Sequence, residues 1–251
     1  MNTSSQLEAN AFPIEPATRA TPERHVVCTE ALSFLAAHPA ESGSSVITSL
    51  PDVSELPELG FEGWRAWFLR AARSVLAWTP EDGVSIFFQS DIRYRGAWVD
   101  KGYLVQRAAE DLGQELVFHK IVCRKTPGTI THGRASYSHL LCFSKRSRGM
   151  PRAPGPDVLA DAGAMSWSKA MGENACRLAC RYLASETATR LVVDPFCGQG
   201  TVLAVANEFG FDALGVDLSQ RKCRVARRLQ VGVPKPAPEL DEPRQLEEPP
   251  T

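Results

Sequence analysis

Short apolar runs alternate along the chain with stretches of helical period. His25–Cys28 (HVVC) and Ser44–Leu50 (SSVITSL) have the length and character of strands. Residues 60–78, GFEGWRAWFLRAARSVLAW, place Trp64, Trp67, Phe68, Ala71 and Val75 on one helical face. GVSIFFQSD then predicts a third strand, KGYLVQRAAEDLG a helix closed by Gly113, and ELVFHKIVCRK and SYSHLLCFSK two more strands. Beyond a loop rich in Pro and Gly, the pattern predicts a helix over Lys169–Leu183, a strand over Leu191–Asp194 and a helix over Thr201–Phe209. A strand over Ala213–Asp217 and a helix over Ser219–Leu229 follow. Strands separated by helices, with one hairpin-like excursion, make an α/β protein on a doubly wound, mostly parallel sheet.

Composition narrows this further. Residues 1–22 mix Ser, Thr, Pro and Ala without period, and the segment from Pro234 to Thr251 holds six prolines among five acids. Neither end can bury enough apolar surface to offset its ordering entropy, so disordered tails over 1–22 and 233–251 are expected around one domain at 23–232. A net charge of -1 over 251 residues excludes a polybasic binder, so any attraction for nucleic acid is local. The seven cysteines form no CxxC pair and mostly sit in apolar stretches, as reduced packing residues do. Neither disulfides nor a metal site are suggested. No apolar run approaches the length of a signal peptide core or a membrane span, so a soluble, cytoplasmic protein is expected, with no membrane partner.

The chemistry concentrates in VVDPFCGQGTVLAVANEFGFDALGVD, residues 192–217. A strand, a tight turn through Gly198 and Gly200, a helix from Thr201 and an acid at the end of the next strand form a ligand crevice at the carboxyl edge of a sheet. A dinucleotide fingerprint would want a third glycine where Leu203 stands, and a P-loop would want Gly-Lys-Ser/Thr; neither is present. Asp194 at the mouth of the loop repels a pyrophosphate and attracts an ammonium. Asp217, 23 residues later, is placed to accept hydrogen bonds from both hydroxyls of a ribose. S-adenosylmethionine, with a zwitterionic methionine end, a ribose and an adenine, matches both acids.

The 36 residues 194–229, DPFCGQGTVLAVANEFGFDALGVDLSQRKCRVARRL, resemble the Asp-Pro-Phe-x-Gly-x-Gly-Thr segment of the amino methyltransferases that modify adenine N6 or cytosine N4 in DNA, and of related RNA enzymes. The resemblance is weaker over residues 24–183. It implies a Rossmann-like class I methyltransferase fold with S-adenosylmethionine held by Asp194, Phe196, Cys197, Gly198, Gly200, Thr201, Asp217 and Leu218. Too few strands follow Lys169 to build a sheet, so the rest must come from upstream and the chain is circularly permuted relative to the usual order. One class of the DNA amino methyltransferases has that order. In it a strand-end acid reaches the cofactor's adenine amino group, which points to Glu30 and Ala31; Glu30 is equally well placed as a helix-start charge. The element gripping the methionine carboxylate corresponds to Ser168 and Lys169, although the usual Lys-Pro is here Lys-Ala.

The family's Asp/Asn/Ser-Pro-Pro-aromatic element, which orients the target amino group and stacks on a base turned out of its helix, corresponds to Ser49, Leu50, Pro51 and Asp52. Ser49 and Pro51 match. Leu50 and Asp52 do not, and Asp52 is read either as a proton acceptor raised in pKa by burial or as a turn cap. QSDIRYRGAWVDK supplies Arg93 and Tyr94 as substrate contacts, with Tyr94 or Trp98 able to replace the missing stack. From Leu116 to Pro156 there is no acid, while Lys120, Arg124, Lys125 and Arg134 are among the cations. A surface of that sign tracks phosphates. The permuted class inserts a target-recognition domain where this chain has only the 19 residues 147–165, which favours structured RNA over DNA as substrate. A DNA N6-adenine or N4-cytosine methyltransferase, a protein or small-molecule methyltransferase, and a non-catalytic cofactor-binding partner of another subunit are the competing readings.

Overall fold

The computed structural model describes residues 21–152, 154–167 and 169–232, so the two expected tails lie almost wholly outside the described residues. In chain order the first half holds β1 (Arg24–Cys28), α1 (Ala31–Ala37), β2 (Ser44–Thr48), α2 (Gly60–Trp78), β3 (Ser85–Gln89), β4 (Ile92–Tyr94), β5 (Ala97–Val99) and α3 (Lys101–Glu110). The second half holds β6 (Glu115–Cys123), β7 (Tyr137–Ser144), β8 (Val158–Leu159), α4 (Glu173–Glu186), β9 (Leu191–Asp194), α5 (Thr201–Glu208), β10 (Asp212–Asp217) and α6 (Gln220–Ala226). Two short 3-10 turns, Val53–Glu55 and Pro57–Leu59, lie between β2 and α2.

Eight strands form one sheet in the order β1-β10-β9-β2-β3-β7-β6-β8. The pairs from β1 to β3 are parallel, β7 is antiparallel to both β3 and β6, and β8 runs parallel to β6. β9, which leads into the glycine turn, comes late in the chain yet lies in the middle of the sheet, between β10 and β2. The strands read as continuous apolar runs because both faces of the sheet are covered. Ile47, Ile86, Leu140 and Val192 enter the core under α4 and α5, while their neighbours Val46, Phe87, Leu141 and Val193 enter the core under α1, α2 and α3.

Two predicted helices begin late. The helix expected from Lys169 starts at Glu173, because Gly172 presses so close to the preceding chain that a Cβ there would lie 2.1 Å from the Ala162 carbonyl oxygen. The Ala162 carbonyl instead accepts the Asn174 N–H at 2.9 Å. The helix expected from Ser219 starts at Gln220, with the Ser219 hydroxyl accepting the Lys222 N–H as its cap. The hairpin β4–β5 escaped prediction: its strands have three residues each, and its turn holds Arg95 at φ 49°, where Asn or Gly is usual. Among the described residues no helix is long and apolar enough to cross a membrane.

Candidate active site

A cavity of about 390 Å³ opens at the carboxyl ends of β9, β10, β1 and β2, within the size range of small-molecule sites. The glycine turn shapes its floor. Gly200 takes φ 88° to start α5, and a Cβ on it would meet the Cα of Ala226 at 2.8 Å, so the turn packs directly on the end of α6. Gly198 (φ 54°) lies under the Trp167 ring, 3.1 Å from where its own Cβ would be. The close helix–strand approach that a third loop glycine would serve is made from the other side: a Cβ on Gly215 of β10 would stand 2.5 Å from Leu203.

The two acids converge on this floor. Asp194 is buried; its Oδ1 accepts the Thr48 hydroxyl at 2.7 Å and the Phe196 N–H at 3.1 Å. Burial pushes its pKa up to about 7, against the lowering effect of those two bonds and with help from the Asp217 charge. Asp217 accepts the Gly198 N–H at 3.1 Å on one oxygen and the Ser219 N–H at 2.8 Å on the other, and Lys222 stands 3.7 Å from it. Phe196, Cys197, Gly198, Thr201, Asp217 and Leu218 all join Asp194 in the cavity wall. Gly200 lies behind the wall, against Ala226.

Glu30 and Ala31 also line the cavity, but the Glu30 carboxylate is already engaged as the N-cap of α1. It accepts the N–H groups of Leu32 at 3.0 Å and Ser33 at 2.6 Å; partial burial raises its pKa, and these bonds outweigh that and hold it below the usual range. Glu30 thus serves as the helix-start charge while its carboxylate, with lone pairs left over, stays in the cavity wall. Lys169 lines the mouth, reaching across it to the Ser54 hydroxyl (3.1 Å) and Glu55 (3.4 Å); Ser168 lies outside the described residues.

The opposite wall is the loop after β2. Ser49, Leu50 and Pro51 belong to it, and the Pro51 carbonyl accepts the indole N–H of Trp64 at 3.1 Å, which fixes the loop on α2. Asp52 is not part of that wall. Its carboxylate pairs with the ammonium of Lys101, whose side chain is only 4 % exposed, so the proton acceptor read from sequence is held by a cation instead. Lys101 was invisible in sequence because it lies 49 residues away, at the start of α3.

The expected substrate contacts divide. Arg93, Lys125 and Arg134 are exposed near the same edge. Tyr94 has one ring face covered by Phe61, with centroids 3.9 Å apart. Arg124 is partly buried against Ser90 and Met165. Lys120 is not on the surface: it is buried, and its ammonium donates to the carbonyls of Gly155 and Pro156 at 3.0 and 3.1 Å, close to Asp157 at 3.2 Å. Its strand position turns it under the 155–157 segment.

Sequence reasoning missed Thr48, buried behind the cavity where it fixes Asp194, and Trp67, Trp167, Met171 and Lys222 in the wall. For Lys222 a signal existed, because a helix starting just after the strand-end acid puts its first turn at the crevice. Trp167 carried none beyond being an aromatic in a polar loop.

A scan against protein-family models and a search of the curated proteins each gave no match. Solved structures with this architecture exist. TTHA0409 of Thermus thermophilus, a candidate DNA modification methylase, aligns at TM-score 0.63 and 22% identity over 82% of this chain and 92% of its own. Its complex with S-adenosyl-L-methionine aligns at 0.62 and 23% identity over 81% and 92%. The PvuII cytosine-N4-specific DNA methyltransferase aligns at 0.62 and 17% identity over 85% and 89%. The protein thus has the Rossmann-like fold of the class I methyltransferases.

Proposed function

We propose that this protein is a circularly permuted, S-adenosylmethionine-dependent methyltransferase that modifies an amino group of a nucleic-acid base, with residues 23–232 as its catalytic domain. The observation that carries this is the convergence of Asp194, Asp217 and the glycine turn in one cavity whose far wall is the Ser49–Pro51 loop. Asp194 offers the counter-charge for the ammonium of the methionine end, and Asp217 has lone pairs left for the ribose hydroxyls. Lys169 is the candidate for the methionine carboxylate, and the indole of Trp167 supplies an apolar cover over the floor. The central place of β9, between β10 and a β2 that comes with β1 and β3 from the start of the chain, supports the permuted order.

The bound cofactor supplies an electrophilic sulfonium methyl. The chain's own task is positioning, which suffices for in-line transfer between well-oriented groups. Among the described residues the Ser49 hydroxyl and the Leu50 carbonyl are the groups of this wall left to accept hydrogen bonds from an amino group, while the Pro51 carbonyl already accepts the Trp64 indole. The names of the neighbours support DNA over the RNA favoured by the short 147–165 segment. Seven free thiols, five of them buried, fit the cytoplasmic setting expected from sequence.

Transfer of a radiolabelled methyl group to total DNA, RNA and protein tests the acceptor class. Label in DNA is the expected result; label in protein alone refutes the reading, and label nowhere turns the chain into a cofactor-binding partner. Asp52→Asn, outside the wall but paired with Lys101, should slow transfer about ten-fold while leaving calorimetric cofactor affinity unchanged. Trp167→Ala should do the reverse, weakening cofactor binding about ten-fold through lost apolar cover with little change in melting temperature.

A further inference from the structure

The hairpin β4–β5 and the loop 124–136 between β6 and β7 rise from the sheet edge that holds the cavity, and a bridge between Ile92 and Arg134 joins them into one wing. Its root is rigid. Asp91, just before the hairpin, accepts the Lys101 N–H at 2.9 Å, His139 at 3.1 Å and the Tyr137 hydroxyl at 3.2 Å. Asp100, just after it, caps α3 through the Tyr103 N–H at 2.7 Å. Tyr94 stacks on Phe61 of α2, so the hairpin is anchored on both sides.

The outer surface of the wing has a different character. Trp98 is 50% exposed, and the Arg93 guanidinium lies 4.5 Å from its ring centroid. Arg95 occupies the turn in the left-handed region, which costs a side-chain-bearing residue about 1 kcal/mol over glycine, so a large cation is kept at the tip against local preference. Arg93, Arg95, Lys125 and Arg134 are all exposed, and neither 92–99 nor 116–156 contains an acid. An exposed indole beside a guanidinium gives a stacking platform, and a string of cations follows phosphates. A base in a duplex has no free face to stack. The loop after β2, with Asp52 bound to Lys101, also offers no aromatic ring to hold a base turned out of a duplex.

Resting on the nucleic-acid reading above, we infer that the wing is a binding site for single-stranded DNA, Trp98 stacking on an unpaired base while the four cations track the backbone. The test is fluorescence anisotropy of the full-length protein with a labelled mixed-sequence oligonucleotide, presented as single-stranded DNA, as its duplex and as RNA, at low and at physiological salt. Single-stranded DNA should bind about ten-fold more tightly than duplex, and Trp98→Ala should weaken it about ten-fold. Arg93→Ala combined with Arg95→Ala should lower the salt slope by about two. All variants should bind S-adenosylmethionine normally in calorimetry, which reports an intact fold. Duplex binding as tight as single-strand binding overturns the inference, as does tighter RNA binding or an unchanged affinity in Trp98→Ala. Cofactor binding without any nucleic-acid binding removes both the inference and the acceptor reading, whereas nucleic-acid binding without cofactor binding strikes only the methyltransferase assignment.

Discussion

Asparagine in place of Asp194 should greatly weaken S-adenosylmethionine binding and yet make the empty protein more stable at mildly alkaline pH. The carboxylate is buried with no cation beside it among the described residues, and burial has pushed its pKa up to about 7. In the unfolded chain the same group ionises near 4. Between those values the folded protein holds a proton that the unfolded chain has released, so stability falls as pH rises through that window and stays low above it. The penalty at about pH 8 is several kcal/mol, and asparagine removes it while still accepting the Thr48 and Phe196 bonds through its amide oxygen. Melting temperature should therefore rise in the variant at about pH 8 and change little at about pH 4. Binding should respond oppositely. If the ligand's ammonium requires the ionised acid, wild-type affinity falls about ten-fold for each unit of pH below 7, and the variant loses about a hundred-fold or more together with the pH dependence. Calorimetry across this range decides it: an affinity independent of pH, or retained in the variant, removes Asp194 from ligand binding.

Alanine at Gly200 should cost more than its one methyl group suggests. The residue sits at φ 88°, and the added Cβ would come within 2.8 Å of both the Cα and the Cβ of Ala226 and 3.1 Å from its carbonyl oxygen. Those atoms are mostly backbone at the end of α6, so no side-chain rotation relieves the contact and either the glycine turn or the helix must move. Left-handed strain and the clash together amount to about 3 kcal/mol, a fall of roughly 6–12 °C in melting temperature for a domain of this size. Cofactor affinity should fall with it, since Gly198 and Asp217 hold each other through the same turn. Gly210→Ala is the control, because Gly210 has φ 80° but nothing within 4 Å of its Cβ position. It should show only the strain, about 1 kcal/mol. Equal losses in the two variants would mean that the packing of the turn on α6 contributes nothing.

The alternation of strands and helices, the crevice at Asp194–Asp217 and the tight glycine turn beside it were determined by sequence alone. All of them depend on contacts between residues close in the chain: side-chain period, turn chemistry and the short reach from one strand end to the next. The tertiary structure decided what those side chains do once distant segments meet. It gave Glu30 to a helix cap, Lys120 to the carbonyls of 155 and 156, and Asp52 to Lys101. It also brought Thr48 to Asp194 across 146 residues and joined a three-residue hairpin strand to the loop around Arg134. The period of a strand shows that a charged side chain points one way or the other. Whether a partner waits there depends on chain that folds in from far away, and burial beside a hydroxyl, with no cation among the described residues, is what sets Asp194 apart.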